Sequence, residues 1–206
     1  MALEDLAMMR AVHGSTVLYP SDANQTAALV AEMVDRPGIV FLRTTREKTP
    51  VLYPPGEAFP IGGARVVRRS AADQVTLVGA GITLHQALAA ADELALQGIH
   101  ARVIDLYSVK PLDVAVLREA AADTGLLVTV EDHWPEGGLG DAVLGVFSDT
   151  ADPPRIRKLA VRAMPGSATP AEQLAAAGID ADAIVQAARD LVAGTPASVP
   201  ADVVAH

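Results

Sequence analysis

The chain has 206 residues, half of them hydrophobic, 20% charged and 3% aromatic, with a formal net charge of -9 and no cysteine. That apolar share excludes disorder for most of the chain and suffices for one full domain plus part of another. The negative balance argues against nucleic acid or an anionic membrane as partner, and the absent thiols exclude a disulfide framework, a cysteine nucleophile and a zinc-thiolate site.

No stretch reaches the roughly 20 apolar residues of a membrane span, and Met1-Ala2-Leu3-Glu4-Asp5 is acidic where a secretory leader would be basic. The expected location is cytoplasmic. Leu3, Leu6, Ala7 and Met9 to Arg10 have the spacing of a short helix whose apolar residues have nothing upstream to cover them. The first part of the chain therefore reads as truncated, and its bare surface predicts a homodimer or another association. A strand is predicted at 16–19, a helix at 25–34 and a strand at 39–42. Residues 49–60, T-P-V-L-Y-P-P-G-E-A-F-P, hold four prolines and disfavour helix and central strand alike, so an extended linker and a domain boundary are expected there.

Beyond it, strands are predicted at 64–69, 75–78, 101–104, 126–131 and 156–160, with helices at 83–97, 113–124 and 140–148. Thr83 precedes an apolar-periodic run that stops at Gly98, and Asp113 caps the helix that ends before Gly125. Two short helices follow at 170–177 and 180–192, and the tail after Ala193 has no periodic face. The alternation predicts an α/β fold, a mainly parallel sheet with helices on both faces, preceded by an incomplete α/β segment. The expected division is 1–57, 58–193 and a flexible tail at 194–206.

The candidate site begins with Ile39 to Leu42, an apolar strand running into a loop with two arginines, Arg43 and Arg46. Ligands of open α/β sheets bind outside the carboxyl ends of strands, and guanidinium forks suit phosphate. Arg46 is the candidate anion contact; the plainer alternative is that both arginines are solvated or pair with local acids. Ser21 and Asp22 suit a helix cap more than a substrate contact.

Glu131, Asp132 and His133 at a strand end could do acid-base work, but acids and histidines there more often satisfy loop amides. Gly79-Ala80-Gly81 opens a helix after a strand, yet Leu84 stands where a dinucleotide fingerprint needs its third glycine, so a plain tight turn is expected, although Asp105 comes close to the required acid. His13, His85 and His100 are scattered, and no metal site is expected.

The strings M-A-L-E-D-L-A-M from Met1, Y-P-S-D from Tyr19, F-L-R-T-T-R from Phe41, V-G-A-G-I-T-L-H-Q-A-L from Val78, K-P-L-D from Lys110, V-E-D-H-W-P-E-G-G-L-G from Val130 and G-I-D from Gly178 resemble the transketolase family, in order and up to about Val192. Related thiamine enzymes, such as deoxyxylulose-phosphate synthase, share K-P-x-D and a Gly-rich turn, but M-A-L-E-D-L-A-M and V-E-D-H resemble transketolase in particular.

The resemblance implies a thiamine diphosphate and Mg2+ (or Ca2+) enzyme that moves a two-carbon ketol unit between sugar phosphates, with active sites formed between two subunits. It places the diphosphate-binding Gly-Asp-Gly motif, the proton-relay glutamate and the sugar-contacting His and Asp upstream of Met1. This chain corresponds to the end of the pyrimidine-binding domain plus the C-terminal domain, and no catalytic residue, cofactor or metal is expected on it alone. Arg46 resembles the family's phosphate-binding arginine. Gly166 stands where the family often carries Arg, which removes a basic contact from that loop. The expected partner is the missing N-terminal portion or a second subunit. The alternative is a non-catalytic binding or assembly module that keeps the C-terminal fold.

Overall fold

The computed structural model describes residues 2–195. The first unit runs α1 (Asp5–Ala11), β1 (Thr16–Leu18), α2 (Ala23–Met33) and β2 (Val40–Leu42). The second runs β3 (Arg65–Arg68), β4 (Val75–Gly79), α3 (Ile82–Leu96), β5 (Ala101–Asp105), β6 (Ser108–Lys110), α4 (Val114–Thr124), β7 (Leu126–Val130), α5 (Leu139–Val146), β8 (Arg155–Leu159), α6 (Pro170–Ala177) and α7 (Ala181–Val192). Of the tail expected at 194–206, all but Gly194 and Thr195 lies outside the described residues.

The larger sheet has the order β3-β5-β4-β7-β8. Its last four members are parallel, and only the edge strand β3 runs antiparallel, against β5. Every residue of β4 and β5 is buried, as continuous apolar runs covered on both faces require. One face packs Leu77, Val103 and Val128 under α3 and α7 through Leu84, Leu94, Ile184 and Leu191. The other packs Val78, Ile104 and Leu127 against α4 and α5 through Leu117, Ala120, Leu139 and Val143. Each fully buried leucine contributes roughly 2 kcal/mol of apolar burial, so these two layers dominate the stability.

The helix ends follow local chemistry. Asp22, Asp113 and Asp180 each accept a backbone N–H at the start of their helix, and Thr169 forms a reciprocal capping box with Glu172. No helix among the described residues is long and apolar enough to cross a membrane.

The smaller sheet differs from the sequence expectation. Its order is β2-β1-β6: β1 and β2 pair in parallel, and β6 pairs antiparallel with β1 although it lies about 90 residues further along the chain. At the end of β6 the Lys110 ammonium donates to the carbonyls of Arg10 (2.7 Å) and Val12 (2.6 Å), neutralising the negative end of α1. The initial helix is also less bare than its position in the chain suggests, since Leu6 is buried in the layer that holds Tyr19 and Ile104, although Met8 is exposed.

The proline-rich stretch forms no helix or strand, as its composition requires, yet it is pinned rather than free. Tyr53 and Phe59 are buried, with ring centroids 4.8 Å apart, and Phe59 meets Tyr107 edge-on at 5.4 Å. Asp22 Oδ2 accepts from the backbone N–H groups of Leu52 (2.7 Å) and Tyr53 (2.9 Å).

Candidate functional site

Because β1 and β2 are parallel, their carboxyl ends lie on the same side; there the Tyr19-Pro20-Ser21-Asp22 turn and Arg43 are buried, while the loop beyond Arg43 is largely exposed. Arg46 is exposed and makes no ion pair among the described residues, which leaves its guanidinium available to an incoming anion. Arg43, three residues earlier, has the opposite fate. It is buried, its Nη1 lies 3.0 Å from Asp132 Oδ1, its Nε 3.3 Å from Asp5 Oδ2, and its Cζ lies 4.7 Å from the Tyr19 ring centroid. The sequence singled out Arg46 and offered solvation or local ion pairing as the plainer fate of both arginines; the structure places Arg43 in the interior on acidic partners and leaves Arg46 exposed in the loop after β2.

Asp132 is the centre of that interior knot. Its Oδ2 accepts from the Tyr19 hydroxyl at 3.0 Å, and its carbonyl accepts from Arg43 Nη2 at 2.9 Å. Burial pushes the Asp132 carboxyl up, against the opposing pull of Arg43 and the Tyr19 hydroxyl. Glu131 accepts from the backbone N–H groups of Leu139 (2.6 Å) and Gly140 (3.1 Å) at the start of α5, and burial pushes its carboxyl up to about 7. His133 Nε2 accepts from the Ala7 N–H at 3.2 Å, and its Nδ1 lies 2.7 Å from the Trp134 carbonyl. Trp134 Nε1 donates to Glu4, and Arg10 donates to the carbonyls of Gly137 and Gly138. The whole turn is thus occupied in holding α1 and the start of α5, as the tendency of strand-end acids to satisfy loop amides anticipates.

Asp22 alone caps α2, its Oδ1 accepting the Gln25 N–H at 2.7 Å, while the Ser21 backbone N–H donates to Gln25 Oε1 at 2.6 Å. Ser21 has a second task that the sequence does not reveal. Its hydroxyl donates to Asp105 at 2.9 Å, and Gln25 Nε2 and the Tyr53 hydroxyl donate to the other Asp105 oxygen at 2.7 Å each. Asp105, which sequence reasoning met only as a near match to a nucleotide ligand, is a buried acceptor joining the end of β5 to α2 and the proline-rich stretch.

The Gly79-Ala80-Gly81 turn is a tight strand-to-helix turn, and the ring of Tyr19 packs directly against Gly81. His85 Nε2 lies 2.7 Å from the Ser21 carbonyl, while His13 and His100 are exposed. Residues 162–169, with Gly166 among them, are exposed.

Residues 62–184 match the transketolase C-terminal domain, and residues 1–51 match the transketolase pyrimidine binding domain. The chain belongs to the transketolase family. It is 50% identical over 193 residues to transketolase-like protein 2 of Mus musculus, across 93% of this chain and 31% of the relative. To transketolase of Homo sapiens it is 47% identical over 194 residues, again across 93% of this chain and 31% of the relative. A solved structure described as a split gene transketolase, inactive beta4 tetramer, matches with a TM-score of 0.88 at 37% identity, over 94% of this chain and 63% of that one. The chain therefore spans less than a third of the length of these two curated relatives.

The transketolase family is thiamine diphosphate dependent, so the described residues bear on where a metal could sit. No three His, Cys, Asp or Glu side chains among them cluster so as to hold a metal ion.

Proposed function

We propose that this chain is the C-terminal portion of a transketolase, contributing a substrate-phosphate contact through Arg46 together with packing surfaces, and that it is inactive alone. In the complete enzyme, thiamine diphosphate and Mg2+ or Ca2+ would be held by the remaining portion and serve transfer of a two-carbon ketol unit between ketose and aldose phosphates. The observation that carries the reading is the contrast within F-L-R-T-T-R: Arg43 is buried on Asp132, while Arg46 stands exposed at the carboxyl end of the parallel β1–β2 pair. A planar, permanently charged fork in that position suits the phosphate of a sugar.

With this assignment go a division into residues 1–57, the end of the pyrimidine-binding domain, and 58–193, the C-terminal domain. A cytoplasmic location and a homodimer complete the proposal. The partner is the polypeptide carrying the rest of the transketolase.

Mixing the chain with such a polypeptide should restore ketol transfer, and in that assembly Arg46→Ala should weaken phosphosugar binding by about 2 kcal/mol. Equal weakening toward unphosphorylated sugars would contradict the phosphate role. A chain that stays compact and indifferent to the companion would favour an assembly module without catalysis.

A further inference from the structure

Arg46 sits in a stretch with almost nothing to hold it. None of residues 44–51 is buried, and the one hydrogen bond they make among the described residues, from Thr45 Oγ1 to the Glu47 carbonyl at 3.4 Å, stays within the stretch. The stretch is fixed only at its two ends. Downstream, Leu52 and Tyr53 donate their N–H groups to Asp22. Upstream, the Arg43 N–H continues the sheet ladder to the Leu18 carbonyl at 2.9 Å. Its guanidinium is clamped by Asp132, by Asp5 and by the Ala2 carbonyl.

The stronger of those clamps comes from the far side of the chain. Asp132 follows β7 in the larger sheet and is 6% exposed, and it meets Arg43 both through its carboxylate and through its own carbonyl. Such a two-point grip on a planar fork fixes direction as well as distance. A buried pair of this kind adds little net stability, because desolvation offsets most of the attraction, so geometric control is the more informative account of its presence.

We infer that Asp132 is a positioning residue for the phosphate contact: through Arg43 it sets the place and direction of the loop that carries Arg46. This rests on Arg46 taking the substrate's phosphate, as proposed above. The C-terminal unit, which holds Asp132, thereby acts on specificity for phosphorylated substrates. Asp132 acts through Arg43, on which both its carboxylate and its carbonyl are engaged. Small displacements of a binding group are costly in a preorganised site, so loosening this end should be read chiefly in the phosphate-dependent part of binding.

Two measurements test it. In the chain alone, Asp132→Asn should speed trypsin cleavage after Arg46 and Lys48, with cleavage elsewhere unchanged. In the assembly with the companion polypeptide, the same variant should raise KM for a phosphorylated acceptor about tenfold, leave kcat within about twofold, and leave KM for the unphosphorylated sugar unchanged. Combined with Arg46→Ala, it should add nothing further, because both changes act through one guanidinium.

A lowered melting temperature without the KM split, or full additivity with Arg46→Ala, overturns the inference. If Asp132→Asn does not fold, Asp5→Asn, which removes the partner of Arg43 Nε, decides the matter by a smaller shift in the same direction or by none. Should Arg46→Ala itself fail to separate phosphorylated from unphosphorylated sugars, it is the phosphate reading that falls. Should Arg46→Ala succeed and Asp132→Asn leave KM untouched, only the positioning role is lost.

Discussion

Tyr19 packs its ring against Gly81 so closely that a Cβ built on the glycine would lie 2.1 Å from the ring. Gly81 also has φ 57°, in the region where an L side chain is strained, and it caps the start of α3. The contact joins the end of β1 to the first turn of the helix behind β4. It explains a glycine that would otherwise invite a cofactor.

Gly81→Ala is therefore expected to destabilise the chain by about 3 kcal/mol or more, through overpacking and backbone strain together. Urea unfolding measures it. A loss within about 0.5 kcal/mol would mean that the Tyr19 ring moves aside freely.

Asp105 makes a second prediction, on pH. Burial pushes its carboxyl up to about 6, despite the lowering influence of Tyr53, Gln25 and Ser21, with Asp22 adding to the rise. The ordinary value is 3.8, so between the two the folded chain keeps a proton that the unfolded chain has released. Its contribution to stability is fully present below about pH 4 and is lost as the pH rises through 6, a change on the order of 3 kcal/mol. Glu131, pushed up to about 7, acts with the same sign at higher pH. Asp105→Asn removes its own contribution and leaves the others, so the unfolding free energy of the unmodified chain minus that of the variant should fall as the pH goes from 4 to 7. A difference that stays constant would show that the carboxyl titrates normally.

Asp22 makes a third. It caps α2 with one oxygen and holds two N–H groups of the proline-rich stretch with the other. Asp22→Ala should cost about 2 to 3 kcal/mol, more than an ordinary cap, because buried donors are left unpaired. Proteolysis should then cut between residues 44 and 53 faster than elsewhere. A loss of about 1 kcal/mol with no new cut would reduce Asp22 to a cap alone.

Much of the fold was legible because it rests on local chemistry. The buried strands read as continuous apolar runs, and Asp22, Asp113 and Asp180 announced their helices by capping chemistry that acts over three residues. What stayed hidden depends on distant partners. Three-residue β6 has no periodicity of its own and exists because β1 lies beside it. The prolines predicted extended backbone over 49–60, but nothing local says that Tyr53 and Phe59 will find Tyr107. At the site, the likeness of F-L-R-T-T-R singled out Arg46, whereas the interior place of Arg43 needs Asp132, 89 residues away.

The β1–β6 ladder has a mechanical corollary. A strand that leaves the five-stranded layer, docks edge-on to the three-stranded one and then feeds α4 makes any scissor-like opening between the layers break backbone hydrogen bonds and tear Lys110 from the α1 carbonyls. Relative movement should therefore be limited to slight sliding, and the two layers should melt as one cooperative body.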